Sequence, residues 1–181
     1  MTDGLITDHY RALNQQLHQA RPHWGTTGHK WSGVLGSVCR RYGSSDVLDY
    51  GCGKQSLRRS FGESVRGYDP AIPELAATPE PADVVACLDV LEHIEPECIE
   101  AVLDHLGALT RRGALIVIAT RPAIQILPDG RNAHLIQMPI GWWRSRLAKR
   151  FSVVYQQNIR DLECVFLCEP SRVLELSPWR S

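Results

Sequence analysis

Apolar residues along this chain fall into short unbroken runs separated by longer stretches at helical spacing, and that alternation predicts an α/β fold. Residues 46–50, 65–68, 83–88 and 114–119 read as strands, and the last is apolar throughout, as expected of a strand buried on both faces. Between them, Leu57 and Phe61 mark a short helix over 55–61. Ile99, Val102, Leu103, Leu106 and Leu109, spaced 3, 1, 3 and 3 apart, mark the clearest amphipathic helix. Pro96 suits the first turn of that helix, Arg111 and Arg112 suit its negative carboxyl end, and Gly113 is expected to break it. Strand, helix, strand, helix, strand is the order that a parallel sheet covered on both faces requires. Two further strands, 151–155 and 163–168, joined by a short turn, predict a hairpin that closes the sheet with one antiparallel strand.

The flanking segments are less regular. Residues 6–20 carry Leu13 and Leu17 among polar residues, which predicts a surface helix with a narrow apolar stripe, stopped at Arg21-Pro22. A second helix is expected over 29–42, with Trp31, Val34, Leu35 and Val38 on one side, ended by 43–45. The run 23–31 between them holds two tryptophans, two histidines and a lysine; it is either a loop tucked over the core edge or a flap over a ligand. Residues 71–82 are proline-rich and predict an extended connection with at most one helical turn. A long loop, 120–139, follows the fourth strand at its carboxyl end, where an irregular stretch is more often functional than idle. Trp142, Trp143, Arg146 and Leu147 then predict a last helix, and 171–181 form a tail without a usable pattern. The expectation is one domain over 1–181: amino-terminal helices and flap in 1–45, then the α/β core in 46–170.

Composition narrows the partners. A chain of 181 residues that is 44% hydrophobic can bury roughly 70% of its unfolded surface in one domain. Twenty basic and twenty acidic residues cancel, so no whole-chain field draws it to nucleic acid or anionic lipid. The six cysteines show no paired C-x-x-C spacing and read as reduced, structural thiols, and no metal site is expected. With no apolar run of about 18 residues and no charged-then-apolar amino terminus, a soluble, cytoplasmic protein is expected.

The chemistry concentrates in Val47-Leu48-Asp49-Tyr50-Gly51-Cys52-Gly53-Lys54, where a buried strand runs through an acid into two glycines one residue apart. Glycine there permits φ > 0 and lets backbone approach a bound molecule closely. Asp69, twenty positions after Asp49, ends the second strand, where this type of sheet presents a carboxylate to ribose hydroxyls. The third strand also ends in an acid and continues as Asp89-Val90-Leu91-Glu92-His93-Ile94. On these motifs, over roughly residues 28–170, the chain resembles the class I, Rossmann-like methyltransferases that use S-adenosylmethionine (SAM), most of all small methyltransferase-like proteins of bacteria and phages.

That resemblance implies a three-layer αβα sandwich around a mostly parallel sheet of about six strands, with SAM as cofactor and S-adenosylhomocysteine as product. It implies that Asp49, Gly51, Cys52 and Gly53 contact the methionine and ribose portion, and that Asp69 with Pro70 meets the ribose hydroxyls. Leu88, Asp89 and Val90 would line the methionine end, and Lys30 with Trp31 would close over the cofactor. Two departures stand out. The family's usual third glycine is Gln55 here, and about a dozen residues between Asp69 and the next strand leave no room for the usual helix and strand pair.

Methyl transfer from a sulfonium is an in-line displacement, so the protein must align donor and acceptor and keep the acceptor deprotonated. His134, in the loop after the fourth strand, is the first candidate base; the alternative is that it only anchors its loop through a backbone hydrogen bond. His93 is the second, with capping or packing as its alternative. Arg121 and Arg131 could hold an anionic acceptor, or belong with Asp129 to a solvated loop. Trp142 and Trp143 point about 100° apart on a helix, which puts one in the core and one near the acceptor entrance; Trp143 is taken as the substrate-side residue. Arg144, Arg146, Lys149 and Arg150 form the only basic cluster, and no Asn-Pro-Pro-aromatic or Pro-Cys motif follows a strand, so nucleic acid is not favoured as acceptor. The expected function is a SAM-dependent methyltransferase acting on a small molecule or compact polar acceptor. The alternatives are an enzyme that cyclises or cleaves SAM without an acceptor, and a non-catalytic module that binds SAM or S-adenosylhomocysteine. Oligomeric state is left open.

Overall fold

The computed structural model describes residues 4–21 and 25–171. Six strands form one sheet: β1 (Val47–Tyr50), β2 (Val65–Tyr68), β3 (Ala82–Leu88), β4 (Thr110–Ala119), β5 (Phe151–Ile159) and β6 (Glu163–Pro170), in the order β2-β1-β3-β4-β6-β5. The first four pair in parallel, and β6 runs antiparallel between β4 and β5. This is the expected architecture, including the single reversed strand. Five helices accompany the sheet: α1 (Asp8–Ala20), α2 (Ser32–Tyr42), α3 (Ser56–Phe61), α4 (Ile99–Leu109) and α5 (Ile140–Leu147).

Strand periodicity divides the core in two, because successive side chains leave opposite faces of a sheet. Val85 and Cys87 of β3 and Ile116 and Ile118 of β4 pack with α4 and with Trp143 and Leu147 of α5. Val84, Ala86 and Leu88, with Leu115 and Val117, pack with Leu35 and Val38 of α2 and Leu57 of α3. Five buried side chains hold α4 in place, at about 1.5–3 kcal/mol each, so packing rather than helix propensity maintains its 11 residues. A third cluster joins Tyr10, Leu13 and Leu17 of α1 to Ala71, Leu127 and Ala133. Helix α1 therefore packs on loops that follow β2 and β4. Its amino terminus is fixed from a distance: Thr7 caps the Tyr10 N–H, and the Glu95 carboxylate accepts from the Thr7 N–H at 2.9 Å and from its hydroxyl at 2.8 Å.

Several local expectations are corrected. Arg111, Arg112 and Gly113 do not end α4; they lie inside β4. Arg112 donates to the Tyr42 carbonyl at 2.7 Å and pairs with Asp83, while Arg111 pairs with Asp46. Gly113 is required because a Cβ there would overlap the Tyr42 ring. Gly113→Ala is expected to lower the unfolding free energy by about 1–2 kcal/mol through overpacking; an unchanged urea midpoint would mean that Tyr42 swings aside without cost. The start of the expected second helix is a 3-10 turn, Thr27–Trp31, and Val34 faces solvent at 42% exposure instead of joining Leu35 inward. Strand β5 continues to Ile159, and Arg160 and Asp161, both at positive φ, make the hairpin turn without a glycine to announce it. The segment after β2 forms a 3-10 turn at Pro73–Leu75 and no further strand, which leaves β2 as the sheet edge. All six cysteines are free and buried. Among the described residues no helix is long and apolar enough to cross a membrane. His23, Trp24 and nearly all of the expected tail lie outside the described residues.

Candidate active site

The carboxyl ends of β1, β2 and β3 converge on the glycine turn. Gly51 and Cys52 donate backbone N–H groups to the Tyr68 carbonyl, at 2.8 and 3.1 Å, so the turn is tied to the end of β2. Gly51 sits at φ 73°, and a Cβ there would lie 2.6 Å from a Val90 methyl; Gly53 sits at φ 48°, and its Cβ would meet the Gly25 carbonyl oxygen at 2.7 Å. Both glycines are thus demanded by sterics as well as by dihedral angle. The Gly25 carbonyl accepts from the Lys54 N–H at 3.0 Å, so the segment before α2 does lie on the glycine turn. Trp31 packs into the core cluster under α2 and α3, while Lys30 faces the cavity described below. Gln55 takes the left-handed conformation, φ 55°, that glycine would hold at this position, and its side chain caps nothing. The departure costs on the order of 1 kcal/mol of backbone strain and leaves the turn intact.

Asp69 braces this turn. Its Oδ2 accepts from the Gly53 N–H at 3.0 Å and its Oδ1 from the Ala71 N–H at 2.9 Å. Burial raises the carboxyl of Asp69 above the usual range, against the pull of those donors and of His18. Asp49, 4% exposed, is pushed up to about 7 by burial and by the charge of Asp69. Asp89, at φ 54°, is a non-glycine residue in a strained conformation at the end of β3.

Above these residues is a cavity of about 400 Å³, lined from the floor by Gly51, Gly53, Asp69, Pro70, Asp89 and Val90 and at one end by His93, Arg121 and His134. A chamber of about 30 Å³ beneath it is lined by Asp49, Cys52 and Leu88, and the two share Gly25, Thr27, Gly51 and Asp89. Most residues singled out in the sequence therefore come together. Two do not. Trp143 is fully buried among the α4 and α5 core residues and lines neither space, so no substrate contact is open to it. Arg131 pairs with Asp129 at 2.7 Å and lies over the Tyr10 ring, outside the lining.

One wall of the cavity was not expected from the sequence. Tyr10, Asn14 and His18 of α1 line the cavity, and the Tyr10 hydroxyl and His18 Nδ1 are buried there without a hydrogen-bond partner. Their spacing of four residues was the available signal, a polar stripe beside the Leu13 and Leu17 stripe. Burial pushes the Tyr10 hydroxyl up to about 12 and holds His18 below the usual imidazole range.

The far end is organised by Asn132, whose side chain accepts from the Ala123 N–H and donates to its carbonyl, and also accepts from the His134 N–H. His134 donates Nδ1–H to the Arg121 carbonyl at 2.6 Å, and His93 donates Nδ1–H to the Ala133 carbonyl at 2.7 Å. The rings meet edge to face at 4.8 Å. Burial lowers both, His93 to about 4, so both imidazoles are neutral at pH 7.

No curated protein sequence matches the chain significantly. Solved structures are similar in fold. A 1,6-didemethyltoxoflavin-N1-methyltransferase from Burkholderia thailandensis, with S-adenosylhomocysteine and 1,6-didemethyltoxoflavin bound, is 18% identical, with a TM-score of 0.61 over 93% of this chain and 92% of that one. The N-methyltransferase NodS from Bradyrhizobium japonicum WM9, also with S-adenosylhomocysteine, is 12% identical, with a TM-score of 0.55 over 92% and 100%. An rRNA methylase from Escherichia coli is 16% identical, with a TM-score of 0.52 over 92% and 78%. A family model described as a methyltransferase domain matches residues 13–162. That span runs from within α1 through the glycine turn and most of the cavity lining to the end of β5, and the chain belongs to this methyltransferase-domain family, with the class I, Rossmann-like fold.

Proposed function

We propose that this protein binds SAM over the Gly51–Gly53 turn and transfers its methyl group to a small-molecule or compact polar acceptor. The observation that carries the reading is the cavity itself, in the range of about 300–1,000 Å³ typical of small-molecule sites, set on the glycine turn and the Asp69 carboxylate. The residues present fit the cofactor. Gly51 and Gly53 leave backbone where any Cβ would intrude, Asp69 offers charged acceptors to ribose hydroxyls, and the unpartnered Tyr10 hydroxyl and His18 Nδ1 are polar groups awaiting a ligand. Asp49, in the smaller chamber, would hold the amino group of the methionine portion, while Lys30 and Asn14 line the larger cavity. SAM, when bound, supplies an electrophilic methyl group and a neutral leaving sulfide.

What the chain contributes is placement and shelter. Helix α1 covers the floor and keeps water away, while Asp89 and Val90 set the line along which an acceptor approaches. At the acceptor end stand two neutral imidazoles, His93 and His134, groups able to take a proton or to hold an ion. Arg121 lies at that end, where it would pair with an anionic substituent of the acceptor. A polynucleotide acceptor is disfavoured by the basic cluster: Arg146, Lys149 and Arg150 are engaged with Glu100, and Arg150 also with Asp104.

Calorimetry with SAM and S-adenosylhomocysteine should return one site for each; folded protein that gives heat with neither would exclude the proposal. Mass spectrometry of SAM incubated with the protein alone then tests the reaction class. Accumulation of methylthioadenosine without any acceptor would replace methyl transfer by cleavage or cyclisation.

A further inference from the structure

At the acceptor end of the cavity, Glu92 is fully buried. Its Oε1 accepts from the Ala119 N–H at 2.8 Å, whereas Oε2 is buried with no hydrogen-bond partner. A carboxylate oxygen in that state is costly unless something else satisfies it. His93 and His134 stand beside it, and one ligand-capable atom from each of the three residues lies within 4.8 Å of the others. Both imidazoles donate Nδ1–H to a backbone carbonyl, which fixes the tautomer with its lone pair on Nε2. Orientation of this kind is what second-sphere carbonyls give to metal-binding histidines. Asp89 and Glu163 line the same cavity and add negative charge around the cluster.

We propose that Glu92, His93 and His134 form a site for a divalent transition-metal ion of the zinc, iron(II) or manganese(II) class. Two imidazole nitrogens and one carboxylate oxygen are donors for such ions, whereas calcium and magnesium prefer oxygen alone. The three donors need to close inward by less than about 1 Å to reach bond lengths of roughly 2.0–2.2 Å. Three protein ligands leave positions open, and these open into the cavity that Glu92, His93 and His134 all line. The site does not depend on methyl transfer being the reaction. If it is, His93 and His134 are ligands and not bases, and an acceptor hydroxyl or amine bound to the ion would have its pKa lowered and would pass its proton to solvent water at the open side of the cavity. No metal was expected from the sequence, because Glu92-His93 and His134 are 41 positions apart and match no ligand spacing.

The test uses the full chain stripped with chelator. Cobalt(II) titration should give one equivalent with visible ligand-field absorption, and zinc(II) should raise the melting temperature. Glu92→Gln and His134→Asn should each weaken binding at least about tenfold, while His9→Asn, at an exposed residue paired with Asp129, should leave it unchanged. Imidazole ¹⁵N spectra of the unmutated protein provide a readout that needs no variant: zinc should shift the Nε2 resonances of two buried histidines whose Nδ1–H is hydrogen-bonded, and leave those of the exposed His9 in place. Folded protein that binds neither ion, or a zinc response confined to exposed histidines, would overturn the site. Either result leaves SAM binding by calorimetry untouched, so the two proposals fail separately.

Discussion

Asp69→Ala is expected to weaken SAM binding by about 1.5–3 kcal/mol, roughly 10- to 150-fold, the loss of charge-assisted hydrogen bonds to ribose hydroxyls. Asp69 braces the glycine turn in the structure and, on the proposed reading, also holds the ribose, and the two duties can be separated. Each of its oxygens accepts one backbone N–H, from Gly53 and from Ala71, which uses one lone pair apiece and leaves the others for ligand. Alanine removes both the ligand contacts and the brace on the glycine turn. Asp69→Asn keeps the shape and one acceptor oxygen but loses the charge, so it should fall between alanine and the parent. S-adenosylhomocysteine and adenosine carry the same ribose and should lose affinity by the same factor. A parental affinity for all three ligands in Asp69→Ala, measured by calorimetry, would show that the end of β2 does not hold the ribose.

The second large effect concerns stability against pH. Asp49 is pushed up to about 7 by burial and by the neighbouring Asp69 charge, against an ordinary value of 3.8. The folded state therefore holds this proton more tightly than the unfolded chain does. Its stabilising contribution is complete below the unfolded value, falls as pH rises between 3.8 and about 7, and stays lost above that. At 1.36 kcal/mol per unit the range is on the order of 4 kcal/mol, an upper value because a charged Asp49 can recruit water from the adjoining chamber. Asp49→Asn lacks the titration. Urea unfolding at a series of pH values should show the variant gaining on the parent from pH 4 to 7, with a constant difference above pH 8. Parallel profiles would mean that Asp49 is ionised in the fold. Asp69 and Cys52 face the same group; Asp49 and Asp69 act on each other and the charge of Asp49 helps raise Cys52, so the variant shifts those titrations as well and the comparison rests on the window from pH 4 to 7.

Several features of the fold needed nothing beyond local pattern. The runs at 65–68 and 83–88 became β2 and β3 within a residue; in β3 the reason is the unbroken apolar, buried run from Val84 to Leu88, whereas β2, at the sheet edge, keeps the polar Arg66. The helix over 99–109 was equally plain, since its five apolar positions all enter the core. Where expectation failed, a long-range contact had overruled a local rule. Arg111, Arg112 and Gly113 carry helix-ending chemistry, but Asp46, Asp83 and the Tyr42 ring recruit them into β4. Trp143 and Trp142 differ in burial only because α5 docks one way round on α4; Trp142 carries Arg146 over its ring, and Trp143 fills the core.

The same division holds at the site. The chain's sequence alone determined the floor of the cavity, Gly51, Gly53, Asp69 and Asp89, and Asp49 in the chamber adjoining it, because a strand end, a steric requirement for glycine and an acid at fixed spacing are all local in the chain. Only the tertiary structure decided the roof and the far end. Helix α1 reaches the cavity through the Thr7–Glu95 contact, 88 residues apart, and Glu92 meets His134 because Asn132 folds the loop back on Ala123. Such contacts are chosen by burial and hydrogen-bond satisfaction in the assembled molecule. No periodicity in the chain encodes which loop will fold over which strand.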